Sequence, residues 1–204
     1  MSLYLLFCVA QIPSSPSETL DTLLRTPHHN FFSLVRDPSQ SQFDMEATNL
    51  PVRPFYSGFA NWTSGGVREF IAKTLPETSS PSNLEPGQYA LLDERSVVDQ
   101  TVRLAHSYSS LHMRDWEAMD IDERARWEEE CEEHTDAADD AWREWRVSFT
   151  DAEKLSTILS FEQDFTSKLY SEDFVAAHTD EQGVFHLEPV FREFLEHDIS
   201  GCPS

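Results

Sequence analysis

The first apolar run, Leu3 to Ala10, is hydrophobic at every position. Leu3, Leu5, Phe7 and Val9 would line one face of an extended segment, and Tyr4, Leu6, Cys8 and Ala10 the other. A strand that is apolar on both faces suits the centre of a sheet covered on both sides. Pro13, Pro16 and the serines around them make a turn, after which Ser17 and Glu18 open a short helix through Leu20, Leu23 and Leu24, closed by Pro27. Phe31 to Val35 reads as a short strand, followed by a polar, proline-punctuated loop as far as Tyr56. Gly65 and Gly66 break the chain before a helix in which Val67, Phe70, Ile71 and Leu75 keep helical spacing, and Pro76 ends it. The next stretch, ETSSPSNLEPG, has the composition of a linker.

Two strands follow, Tyr89 to Asp93 and Thr101 to Tyr108, joined by a charged connection. In the second, Val102, Leu104, His106 and Tyr108 share one face and Thr101, Arg103, Ala105 and Ser107 the other, and the first face is expected to pack on the core. From about Asp115 to Arg146 the composition turns to Asp, Glu, Ala, Arg and Trp, without Gly or Pro. Asp120 and Glu123 have capping-box spacing, which starts a helix near Ile121. Trp127, Cys131, His134, Ala138, Ala141, Trp142 and Trp145 recur every three or four residues and are predicted to form one helical stripe. Glu128, Glu129, Glu132 and Glu133 fall mostly off that stripe. Strand character resumes in EWRVSF. Helical segments are expected around Ala152 to Leu159 and Glu162 to Ala177, then a turn at Gly183 and an amphipathic helix through Val190, Phe191, Phe194 and Leu195.

These elements predict one α+β domain over residues 1–204. It has a mainly antiparallel sheet, from segments near 3–10, 89–93, 101–108 and 145–149, covered by helices, with an acidic helical insertion at about 112–144. A chain of 204 residues with 39% hydrophobic side chains buries a substantial core without disulfide or metal staples.

The formal net charge of −22 repels phosphate backbones and anionic lipid, and no Lys/Arg cluster offsets it, so neither nucleic acid nor membrane is an expected partner. A basic protein or a cationic small molecule would be attracted. Cys8, Cys131 and Cys202 match neither a disulfide framework nor a zinc motif, and free thiols in a reducing compartment account for them. The apolar opening is short for a membrane span, and the first positive charge is Arg25, so a cytoplasmic chain is expected instead of an exported one.

Chemistry-bearing patterns are sparse. Cys131 and His134 would supply two ligands of the four that a structural zinc site wants, and no metal or cofactor is expected. His28 and His29 are adjacent in a loop, where neighbouring side chains diverge. Asp93 and Glu94 end one strand while the next carries His106. Those carboxylates and that imidazole could form an acid and base pair, though a charged connection with an internal Asp–Arg pair explains the same letters. Walker, Gly-x-Ser-x-Gly and His-Glu-x-x-His signatures are absent from the sequence. Trp127, Trp142 and Trp145, with Glu128, Glu129, Glu132 and Glu133, could grip a basic helix or a cationic ligand through ring faces and carboxylates, or the tryptophans could fill a helix-to-sheet interface.

In order along the chain, LYLLFCVA, GFANW, YALLDERSVVDQTVRLAH, EWRVSF and EDFVAAHTDEQGVF resemble a family of uncharacterised, mostly fungal small proteins with no established activity. The resemblance covers most of the chain outside the acidic insertion. It implies one contiguous fold and supplies no site residues. The function expected first is a non-catalytic binding or interaction module. The alternative is a small enzyme or accessory factor in fungal small-molecule metabolism that uses Asp93, Glu94 and His106.

Overall fold

The computed structural model of the chain describes residues 3–10, 16–40, 43, 46–77, 84–109, 120–126, 140–161, 166 and 168–192. Strand β1 (Leu3–Cys8) is buried at all six positions, as its two apolar faces require. Helix α1 (Pro16–Arg25) leads to β2 (Phe32–Val35), and helix α2 (Ser64–Glu77) leads to β3 (Leu84–Leu92). The short helix α3 (Glu94–Asp99) then joins β3 to β4 (Thr101–Ser109). Helix α4 (121–126) precedes β5 (Asp140–Ser148), and helices α5 (Ala152–Phe161), α6 (Glu172–Ala177) and α7 (187–192) follow.

The sheet order is β2-β1-β3-β4-β5. β1 pairs in parallel with both β2 and β3, whereas β3 with β4 and β4 with β5 pair antiparallel. The fold is α+β and the sheet is mixed: the expected antiparallel pairing holds across β3, β4 and β5, whereas β1 is parallel to both of its neighbours. Parallel neighbours need helical crossovers, and α1 and α2 supply them. The sheet also has a fifth member, β2.

Alternation along β1 feeds two cores. Tyr4, Leu6 and Cys8 face Leu20, Leu23 and Leu24 of α1, with α5 and the segment around Tyr170 extending the layer over Leu104, Trp145 and Val147. Leu3, Leu5 and Phe7 face Val67, Ile71 and Leu75 of α2, with Phe59 beside them. Each fully buried Leu or Phe of this kind contributes about 1.5–3 kcal/mol.

Several local expectations change in the structure. Gly65 and Gly66 lie inside the first turn of α2, because Thr63 caps it: its Oγ1 accepts from Gly66 N–H at 3.2 Å. Pro76 sits in the last turn of α2 instead of after it. The linker-like LEPG belongs to β3, whose register against β1 shifts between Leu3, opposite Leu84, and Leu5, opposite Tyr89. The charged connection is a helix, α3, with a capping box in which Ser96 N–H donates to the Asp93 side chain, and it closes on Gln100 in the left-handed region (φ 54°). The helical reading of Glu162 to Ala177 is interrupted at Tyr170 and Ser171, where Ser171 caps α6.

The largest correction concerns Ala141 and Trp142, which are not helical; Trp145 is in the strand expected at 145–149 and not on a helical stripe. They lie in β5, which pairs with β4 at nine consecutive positions from Thr101↔Ser148 to Ser109↔Asp140. A ladder of that length overrides the helix propensity of Ala, Arg and Glu. The Asp120–Glu123 capping box is present at the start of α4: Glu123 N–H donates to Asp120 Oδ1 at 2.8 Å and Asp120 N–H to Glu123 Oε2 at 3.1 Å. Trp127, Glu128, Glu129, Cys131, Glu132, Glu133, His134 and the rest of the expected insertion outside 120–126 and 140–144 lie beyond the described residues. Among the described residues, no helix is long and apolar enough to cross a membrane.

Both outer strands are met by coil. On β2, Thr48 N–H donates to Phe32 O at 2.8 Å and Leu34 N–H to Thr48 Oγ1 at 2.7 Å. On β5, Phe185 N–H donates to Arg146 O at 2.8 Å.

Candidate functional site

The antiparallel part of the sheet carries most of the polar chemistry, divided between its two faces. On the α2 face, Arg103 pairs in register with Leu91 on one side and Arg146 on the other, and Ala105 pairs with Glu144. Side chains alternate along each strand, so Arg103, Arg146 and Glu144 project to the same side. Arg103 Nη2 donates to Glu144 Oε2 and, at 2.7 Å, to Ser64 Oγ. Tyr89 Oη donates to Glu144 Oε1 at 3.1 Å. Arg146 donates to both oxygens of Asp93, through Nη1 at 3.1 Å and through Nη2.

Asp93 is thereby saturated. Its Oδ1 also accepts from Ser96 N–H and Ser96 Oγ, each at 3.2 Å. Burial acts to raise the Asp93 pKa, but the hydrogen bond and charge of Arg146, with help from Ser96, outweigh it and hold the carboxyl below its usual range. An ionised carboxylate whose lone pairs are occupied neither gives up nor takes a proton at neutral pH. The same neighbourhood pushes the Tyr89 phenol well above its ordinary value, first by burial and then by the charge of Glu144. Trp142 completes this face, half-buried, 5.5 Å from the Tyr89 ring and with Arg68 Cζ 5.6 Å from its own centroid.

The opposite face holds His106. Gln88, His106 and Arg143 form one register row across β3, β4 and β5, and Trp145 lies in the next row on the same side, opposite Leu104. Tyr170 covers them, with ring centroids 6.4 Å from His106 and 5.5 Å from Trp145, and Arg143 Cζ is 5.9 Å from the Tyr170 centroid. Tyr170 Oη donates to His106 O at 2.7 Å, so the 3.0 Å contact between Nδ1 and that hydroxyl is made by an imidazole N–H. Nε2 is then the unprotonated nitrogen. Burial pushes the His106 pKa down to about 4, keeping the ring neutral. Gln88 and Trp145 are each 1% exposed, and among the described residues neither Gln88 Nε2 nor Trp145 Nε1 has a hydrogen-bond partner. A buried donor left unsatisfied costs about 1–3 kcal/mol.

Asp93 and His106 are therefore not brought together. They lie on opposite faces, and Gln88, the register partner of His106, is five residues from Asp93, roughly 16 Å at the rise of a strand. Glu94 is exposed in the first turn of α3. Of the three expected binding tryptophans, Trp145 is core and Trp142 packs on Tyr89 and Arg68. His28 and His29 are anchored through their backbone: their N–H groups donate to the two carboxylate oxygens of Glu153 at 2.7 and 3.2 Å. Cys8 is a free, buried thiol pushed up to about 11 by burial, which keeps it protonated and unreactive. Among the described residues, no group of three or more His, Cys, Asp or Glu side chains is placed to hold a metal ion.

Sequence reasoning passed over Gln88, Arg143, Arg146 and Tyr170. For Gln88 a signal existed, since a polar residue leads the buried run YALL; Tyr170 is far away in sequence and left none. No family model matches the chain, no curated protein matches its sequence, and no solved structure matches it.

Proposed function

We propose that this chain is a non-catalytic binding module whose acidic exterior engages a basic partner. The observation that carries this reading is how its cations are used. Lys and Arg number 15 against 37 Asp and Glu, and Arg103 and Arg146 are held on Glu144 and Asp93 in the sheet, so the whole net charge of −22 is carried by the rest of the chain. A field of that sign accelerates encounter with a positively charged surface and weakens with salt. The packing of Trp142 and Trp145 shifts the expected contact from tryptophan rings to carboxylates, with Glu128, Glu129, Glu132 and Glu133 the leading candidates.

The test is affinity purification of the intact protein from cells that express it, alongside the variant with those four glutamates changed to lysine. A basic partner that is retained by the parent, released by moderate salt and lost from the variant supports the reading. An unchanged set of partners overturns it. The rival, an enzyme in fungal small-molecule metabolism working through Asp93, Glu94 and His106, has less in its favour, because Asp93 is saturated by Arg146 and lies on the other face from His106.

A further inference from the structure

We propose that Gln88, His106, Arg143, Trp145 and Tyr170 form a binding site for a small carboxylate. Two donors on this face lack acceptors. Gln88 Nε2 and the Trp145 indole nitrogen are both buried without a partner among the described residues, and an indole N–H can only donate. A group that satisfies them must therefore bring acceptor oxygens.

Arg143 adds the sign of the charge. It occupies the same register row as Gln88 and His106 and lies over Tyr170, yet among the described residues it pairs with no carboxylate. A carboxylate is acceptor-only, offers two oxygens and matches the guanidinium fork, so it answers the two donors and the cation together. A neutral histidine and a single arginine suit a monoanion better than a phosphate dianion. The buried rings of Trp145 and Tyr170 would take the short apolar body of the ligand, and the half-buried His106 and Arg143 would form the side by which it enters.

The test uses the full-length, nitrogen-labelled protein and the isosteric probes propionate and propionamide. The indole N–H signal of Trp145, assigned by its loss in Trp145→Phe, and the side-chain amide of Gln88, assigned by Gln88→Leu, report occupancy separately, so one variant that fails to fold leaves the other reporter. Propionate is expected to shift both signals saturably in the millimolar range. Propionamide and the Arg143→Gln variant should each be weaker by about tenfold or more, since a hydrogen bond to a charged group is lost. Arg143→Lys should recover part of the affinity. Absence of saturable shifts at the highest soluble probe concentration would overturn the proposal. So would equal responses to the two probes, unaltered by Arg143→Gln, because the negative charge and its arginine would then contribute nothing to binding.

Discussion

Arg146 grips Asp93 through both terminal nitrogens while its Nη1 also donates to Thr101 Oγ1 at 2.8 Å, tying the start of α3 to β4 and β5. The two side chains are only 11% and 14% exposed. Removing one partner strands the other charge, so Arg146→Leu should cost about 3 kcal/mol in urea denaturation, with part restored in Asp93→Asn/Arg146→Leu. The folded-state pKa of Asp93 is depressed from 3.8, so its contribution is present above that value and is lost as pH falls through the lower, folded-state value. Acid titration of the parent should show this loss below about pH 4, and Asp93→Asn should lack it.

His106 should stay neutral far into the acid range. Its pKa falls from 6.5 to about 4, so between those values the unfolded chain binds a proton that the folded chain does not. Stability contributed by the neutral ring is complete above pH 6.5 and declines on acidification to pH 4, by up to about 3 kcal/mol. Histidine NMR titration should show the His106 ring unprotonated at a pH where exposed histidines are charged. Tyr170→Phe, which removes the hydroxyl shared by Nδ1 and the carbonyl, should cost about 1 kcal/mol.

Trp142 and Trp145 should differ sharply despite their near-identical setting in sequence. Trp145 is fully buried opposite Leu104, so Trp145→Ala should lose about 3–5 kcal/mol. Trp142 is half-buried against Tyr89 and Arg68, and Trp142→Ala should lose about 1–2 kcal/mol, nearer the value of an aromatic contact than of a core cavity. Thermal or urea melts of the two variants decide it, and equal losses would contradict the placement of these residues on opposite faces of β5.

Two glycines give a second contrast. A Cβ on Gly58 would lie 2.5 Å from Pro38 Cδ and 3.1 Å from the Asp37 backbone, so Gly58→Ala should destabilise by about 1–3 kcal/mol. At Gly65, in the first turn of α2, the nearest atom to such a Cβ is 3.8 Å away, and Gly65→Ala should stabilise by about 0.5 kcal/mol through the unfolded chain. Denaturation midpoints measure both.

What could be read in advance follows from the range of the interactions involved. The two-sided burial of β1 and the alternation of Val102, Leu104 and His106 against Arg103 and Ala105 are local patterns, and the structure matches them. Residues 141–148 carry Trp142 and Trp145 at a spacing of three, compatible with a helix, beside Trp145 and Val147 at a spacing of two, compatible with a strand. Only the nine-position ladder to β4 decides between them, and that is a long-range fact. The pairing of Asp93 with His106 failed for a related reason: in an antiparallel hairpin a residue at the turn end is far from one near the open end, however close their numbers. Asp93 found Arg146 instead, across 53 residues of chain.

The coil that meets β2 and β5 settles how another molecule can approach the sheet. At Phe32 and Leu34 on one rim and Arg146 on the other, the outward backbone groups are already engaged by Thr48 and Phe185. A second chain arriving in extended form finds those positions taken, so lateral growth into edge-to-edge fibres is blocked there by hydrogen-bonded coil instead of by a repelling lysine or a proline.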